Sequence, residues 1–324
     1  MSSITATRDA ASLRSGRSAQ RGDGVFRALA IGAGGLLFIL LGAIAVFLIV
    51  KALPAFQHDK SNFWTTQQWS SDSFGIAATL FGTVLTAVLA LVISVPVAIG
   101  VALYITQFAP RRIANLLGYV TDMLAAVPSV VYGLWGVDFL LLHMQGLDHF
   151  LATRFGWIPL FSDPNHGLST FPKTVLSASI VLAIMVLPIV AAISREVFKQ
   201  VDSAQKEAAL ALGATRWEMI RIAVLPVSRS GVISAMMLGL GRALGETIAV
   251  ALVIGNVSKI SGHLLIPGGN TIAANIANTF GEANGLGRSA LIASGLVLFA
   301  LTLVVNLIAR YVILRSDIED RSSV

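Results

Sequence analysis

Arg242 and Glu246 stand four residues apart within Gly-Leu-Gly-Arg-Ala-Leu-Gly-Glu-Thr, inside the apolar run Gly231–Ser258. Read as one helix, that run has its middle near residues 244 and 245, so Arg242 falls close to the bilayer midplane. An arginine there costs about 2.5–3.5 kcal/mol on insertion scales. It cannot shed its proton, so it needs a partner or a wet cavity. At this spacing Glu246 shares its helical face. Two uses follow. A closed Arg242–Glu246 pair could fix helix packing, although buried pairs are often neutral or costly. Alternatively the planar guanidinium fork could take an oxyanion, whose geometry it matches bidentately. Ionisable groups inside a membrane are functional-site candidates by default, which favours the anion site. Glu246 holding Arg242 until an anion displaces it would join the two readings.

A second candidate is the polar stretch between residues 201 and 226. Asp202 can cap a short helix, with Gln205 in capping-box position and Gly213 at its left-handed end. Thr215 and Glu218 form a second capping box, and Pro226 ends or bends the helix that follows. A stiff helix–turn–helix with Trp217 and Met219 beside charges suits a surface that fits into a partner. Thr79, Thr83 and Thr86 recur at helical spacing on one face of the apolar run Ile76–Phe108. They either offer hydroxyls to a polar path or bond their own backbone, and Thr83 is the path candidate. Asp122 reads as interfacial, and Asp138 as paired or near an outer end. His143, His149 and His166, with Asp148 and Asp163, read as a solvated outer loop, because their spacing matches no metal motif. Asn275, Asn278, Glu282 and Asn284 read as a re-entrant turn or docking surface. No Gly-Lys dipeptide occurs, so no phosphate-binding loop for ATP is expected. No metalloprotease or Gly-x-Ser-x-Gly pattern occurs either. No catalytic residue, metal or cofactor is expected on this chain.

The elements that position these residues are membrane helices. The 324-residue chain is 55% hydrophobic and only 12% charged. A soluble domain carries about 25% charged residues, so part of the solvent must be lipid. Six apolar runs approach the roughly 20 residues a spanning helix needs. They are Ala28–Val50, Ile76–Phe108, Ile113–Met144, Thr174–Ser194, Gly231–Ser258 and Ser289–Ala309. The expected fold is all-α, a six-helix membrane bundle. Residues 1–24 read as a disordered tail rather than a targeting peptide, and 25–324 as the transmembrane domain, with a polar loop over about 195–229. With the N-terminus inside, 16 Lys and Arg fall in inner segments and 6 in outer ones, which favours both termini in the cytoplasm. Topology thus accounts for the net charge of +6 without nucleic acid. There is no cysteine, so no thiol chemistry. Trp64, Trp69 and Trp157 lie in outer segments as interfacial anchors.

Glu207-Ala208-Ala209, then Gly213, then Leu225-Pro226 resemble the EAA signature of bacterial ABC-importer permeases. Ala223 stands where that pattern often has isoleucine. The tract from Gly241-Arg242 through Gly245-Glu246-Thr247 to Gly255-Asn256 is similar to the PstC-type permeases of phosphate ABC importers. So are Ala126-Val127-Pro128 leading to Tyr132-Gly133, Phe74-Gly75 with Gly82-Thr83, and Ala211 to Glu218. The resemblance covers nearly all of residues 25–320. It implies a MetI-like architecture and a pore shared with a sister permease of PstA type. It also implies a cytoplasmic dimer of PstB-type ATPases holding ATP and Mg, docked on Glu207–Gly213 and Leu225-Pro226. An extracytoplasmic PstS-type binding protein would deliver inorganic phosphate, which passes Arg242 and Glu246. Sulfate, molybdate or phosphonate are the alternative cargoes. A secondary anion carrier is disfavoured by the loop, and a passive membrane scaffold by Arg242.

Overall fold

A computed structural model describes residues 16–58, 62–67, 69, 70, 73–162 and 172–322. Six helices among them are long and apolar enough to cross a membrane: Gly24–Gln57, Ala77–Phe108, Ser129–Phe155, Val175–Lys199, Arg216–Gly245 and Gly285–Tyr311. The class is therefore all-α, as the apolar runs require. The one sheet among the described residues is a small antiparallel pair of two-residue strands, β1 (Trp69–Ser70) with β2 (Ser73–Phe74).

The first helix, α1 (Gly16–His58), opens the described chain. Of the tail expected over 1–24, residues 1–15 lie outside the described residues, and residues 16–24 are the first turns of α1. The chain divides into two compact units, residues 1–51 and 52–324. In the first, the large apolar side chains from Val25 to Val50, except the half-buried Leu48, are exposed, as lipid-facing residues would be. The second unit holds everything else.

Within it, α2 (Ala77–Leu103) continues through a π-helical turn, Tyr104–Phe108. Then comes α3 (Arg111–Ala125), and after it α4 (Ser129–Trp135), which runs through a π turn into α5 (Leu141–Phe155). The expected single span Ile113–Met144 is therefore two helices. Pro128 lacks an N–H and adopts an extended ψ of 137°, which stops one helix and starts the next.

The most enclosed span is α6 (Val175–Lys199), capped at its start by the Thr174 hydroxyl, which accepts from Ser177 N–H at 3.1 Å. Small residues let α2 lie close against it: Ala87, Ala90 and Ala98 meet Ala178, Val181, Leu182 and Met185 in the main core. Several hydroxyls in these helices return to carbonyls one turn back, as Ser179 does to Val175 at 2.7 Å and Thr86 to Gly82 at 2.8 Å.

After α6 come α7 (Ser203–Ala211) and α8 (Arg216–Met219). A π turn, Ile220–Val224, joins α8 directly to α9 (Leu225–Gly245). Pro226 thus neither ends nor isolates the second loop helix. The wider turn places Leu225 N–H on the Ile220 carbonyl, so the helix admits a proline and runs on into the fifth span. That span is in turn shorter than its apolar run. It stops at Gly245, Glu246 is extended (φ −68°, ψ 124°), and a separate short helix, α10 (Ile248–Val253), follows. An irregular segment then leads to α11 (Ile272–Thr279) and the last helix, α12 (Gly285–Ser322).

Candidate functional site: an arginine between two broken helices

The depth of Arg242 can be read from its neighbours. A side chain at Gly239 would meet Val186 and Val190, which stand near the middle of the 25-residue α6. Arg242 lies three residues further on, a rise of about 4.5 Å. It therefore sits close to mid-height of the bundle, although it occupies the last turn of its helix rather than the centre of a continuous one.

Both interrupted spans meet at this level. The α3–α4 break leaves carbonyls without intrahelical partners. The Tyr132 hydroxyl spans the gap and donates to the Leu124 carbonyl at 2.8 Å. The second break, at Glu246-Thr247, is held against the first. A Cβ on Gly133 would sit 2.8 Å from the Ala249 Cα, so only glycine lets α10 lie this close to α4. Non-helical backbone at membrane depth is tolerated where it is buried in protein or lines a water-filled cavity. Arg242 itself is exposed, and it has no carboxylate within ion-pair distance among the described residues.

The expected Arg242–Glu246 pair is therefore not formed. The same-face rule holds only within one helix, and Glu246 has left it. Its Oε1 instead accepts from the Ala249 N–H at 3.2 Å and so satisfies the start of α10. Thr83 is also placed differently from a path-lining group. It is 2% exposed. Its hydroxyl donates to the Thr79 carbonyl at 2.7 Å and accepts from the Ile272 N–H at 2.9 Å. Thr83 is thus a pin between α2 and α11, and its neighbours Thr79 and Thr86 bond their own helix.

The loop site keeps most of its expected shape. Asp202 accepts from Ala204 N–H at 3.0 Å, while no reach-back by Gln205 accompanies it. Gly213 has φ +88°, the left-handed end that glycine was expected to supply. Thr215 and Glu218 form a full capping box. Ala209, Met219 and Ile220 are buried against Phe198, Val201 and Leu103, which fixes the loop to the ends of α2 and α6. Met219 is accordingly not part of any docking face. Glu207, Ala208, Gly213 and Pro226 are exposed, Leu225 is half-buried, and Leu212 and Trp217 stand out at 90% and 60% exposure.

Several polar residues take places that spacing alone did not indicate. Arg195 is buried and donates to both Asp122 oxygens at 3.2 Å and to Glu196 at 2.9 Å, tying α6 to α3. Asp122 is thus a partner, not a free interfacial acid. Asp138 is exposed and has no basic partner among the described residues. Asp148, expected in a solvated loop, is 1% exposed within α5, with Oδ1 unpartnered. Its period with Leu141, Met144 and Leu151 was the available sign of a helix. His143 and His149 lie on that same helix, Asp163 and His166 fall outside the described residues, and no cluster of metal-binding type occurs among the described ones. Asn275 is buried in α11, whereas Asn278 is exposed.

Comparison with known proteins gives this arrangement a lineage. Residues 94–317 match the family described as binding-protein-dependent transport system inner membrane component. The phosphate transport system permease protein PstC 2 of Mycobacterium tuberculosis is 43% identical over 300 residues, covering 91% of this chain and 92% of that one. The phosphate transport system permease protein PstC of Xylella fastidiosa strain 9a5c is 42% identical over 302 residues, covering 91% of each. Among solved structures, a bacterial ABC transporter involved in the import of the acidic polysaccharide alginate matches with a TM-score of 0.56 at 18% identity, over 86% of this chain and 95% of that chain. That match shows the fold alone, one shared with a chain of an ABC importer. The chain belongs to the binding-protein-dependent transport system inner membrane component family, among the PstC phosphate transport system permeases.

Proposed function

We propose that this chain is the permease subunit through which an ATP-driven importer moves inorganic phosphate into the cell, with Arg242 as the cation the anion passes. One observation carries this reading: a permanently charged guanidinium stands at mid-height, without an ion-pair partner among the described residues, where two helices are broken. An uncompensated charge at that depth is expensive. A tetrahedral oxyanion supplies the missing counter-charge and fits the planar fork. The phosphate permeases that the chain resembles supply the identity of the cargo.

The chain works within a larger assembly. A sister permease of PstA type completes the path on the open side of Arg242, and a PstS-type binding protein delivers phosphate from outside. The exposed Glu207, Ala208, Leu212, Gly213 and Trp217, with Leu225 and Pro226 behind them, dock a PstB-type ATPase dimer that binds ATP and Mg. Charge bias sets both termini and this loop in the cytoplasm. Closure of the ATPases pushes the loop. Because α8 runs without a stop into α9, the push travels along one helix to Arg242. Glu246 does not neutralise Arg242 at rest; it holds α10 in place beside it.

The test is uptake of labelled phosphate by the reconstituted complex. Arg242→Ala is expected to abolish uptake and Arg242→Lys to cut it about tenfold or more, since lysine lacks the bidentate fork. ATPase association should be retained in both. Undiminished uptake in Arg242→Ala would remove this residue from the path, and preferential uptake of sulfate or molybdate would replace the cargo.

A further inference from the structure

Three asparagines above the Arg242 level form a chain whose amide orientations are fixed by one backbone hydrogen. The Thr271 N–H donates to Asn270 Oδ1 at 2.9 Å. That oxygen is thereby identified, so the other end of the Asn270 amide must be Nδ2. Asn270 Nδ2 donates to Asn256 Oδ1 at 2.8 Å and to Asn275 Oδ1 at 3.3 Å. Both neighbours therefore present their oxygens inward and their NH2 groups away from Asn270. The Asn275 Nδ2 is buried and has no hydrogen-bond partner. Asn256 is exposed, and its Nδ2 has no partner among the described residues.

The anchor is rigid. Asn270 is 1% exposed, and its backbone carbonyl would clash with a Cβ placed on Gly82, so backbone and helix touch there. The Ile272 N–H next along is pinned to Thr83. Asn256 is held at the far end of α10, beside the bridge between Val257 and Gly269. Three residues earlier, Val253 abuts Gly136, which also abuts Val181 in the first third of α6. Asn256 therefore stands toward the α6 start, on the side of Arg242 away from the ATPase-docking loop. A side chain whose oxygen is turned to a buried partner and whose two donors are free offers those donors on the side away from its own negative oxygen.

We infer that the Asn256 Nδ2 is an anion-contacting donor of the path, the outer rung from which a tetrahedral oxyanion passes to Arg242, with Asn270 as its positioning residue. Asn275, buried behind Asn270, completes the anchor. This rests on the phosphate-path reading above. A neutral amide suits a transit contact, because it favours the anion less strongly than a guanidinium and lets it leave.

The test is labelled-phosphate uptake per assembled complex for Asn256→Asp, Asn256→Ala and Asn256→Ser, beside the unchanged chain and Arg242→Lys. Aspartate keeps the size of asparagine and the oxygen that Asn270 needs, so a packing role predicts that Asp outperforms Ala. A donor role predicts the reverse order. Asp should lie about tenfold or more below the unchanged chain, because it swaps donors for a repelling charge, and Ala should lie between. Asn256→Ser retains a hydroxyl donor and should exceed Ala. Asp equal to or better than Ala, or Ser no better than Ala, overturns the proposal. So does loss of assembly in Asp alone, which would assign the amide to the sister subunit. If the unchanged complex moves no phosphate, the path reading itself fails. If Arg242→Lys is impaired while the Asn256 variants all match the unchanged chain, only the outer rung fails.

Discussion

At the scale of single residues, hydrogen-bond inventories decide which polar groups are structural and which are available. Thr83 spends its hydroxyl twice and is sealed in the interior. Thr83→Val should leave the Ile272 N–H unsatisfied and destabilise the protein by about 1–3 kcal/mol. A thermal melt in detergent checks this, and a path role would instead lower uptake with the melt unchanged. Arg195 is buried while Asp122 is half-exposed, so their pair is asymmetric. Asp122→Asn still leaves Glu196 against the guanidinium and should cost about 1 kcal/mol or less. Arg195→Ala removes the contact that joins α3 to α6 and should lower the melting temperature more than Asp122→Asn does. Melts of both variants equal to that of the unchanged chain would show that the tie between these helices does not stabilise the fold.

At the scale of elements, the breaks matter more than the helices. Pro128 and the Gly245-Glu246-Thr247 turn are punctuation in otherwise apolar runs, and Gly133 brings the two interruptions together. Gly133→Leu cannot be accommodated without moving α10. It should abolish uptake while leaving ATPase association intact, as copurification of the complex would report. In the loop, Gly213→Val forces a β-branched residue into a left-handed conformation and should cost about 1–2 kcal/mol. The displaced Leu212 and Trp217 should weaken ATPase association, while removing residues within Glu207–Gly213 should eliminate it. Retained association after that deletion would place the docking surface elsewhere.

At the scale of the whole molecule, the absence of cysteine makes topology directly measurable. A single cysteine at Leu212, which is 90% exposed, should resist a membrane-impermeant maleimide in intact cells and react once they are permeabilised. A cysteine at exposed Trp64 should react in both conditions. The opposite pattern would invert the orientation drawn from the distribution of Lys and Arg.

Hydropathy and local capping chemistry act over a few residues, and they are legible in the chain alone. They gave the helical class, the six apolar runs, the left-handed Gly213 and the Thr215–Glu218 box. They also marked Arg242 as a charge out of place, because its cost depends on burial in lipid rather than on any neighbour. Contacts between distant segments were not legible. Nothing near Arg195 announces Asp122, 73 residues away, and nothing near Thr83 announces Ile272, 189 away. The Arg242–Glu246 pairing failed for the same reason in reverse. Helical spacing makes two side chains neighbours only while the helix continues, and packing of α10 on Gly133 accompanies the end of that helix at Gly245. Periodicity specifies the helices and the charge they must carry; the folded bundle decides where they stop, and therefore which side chains remain free to meet an anion.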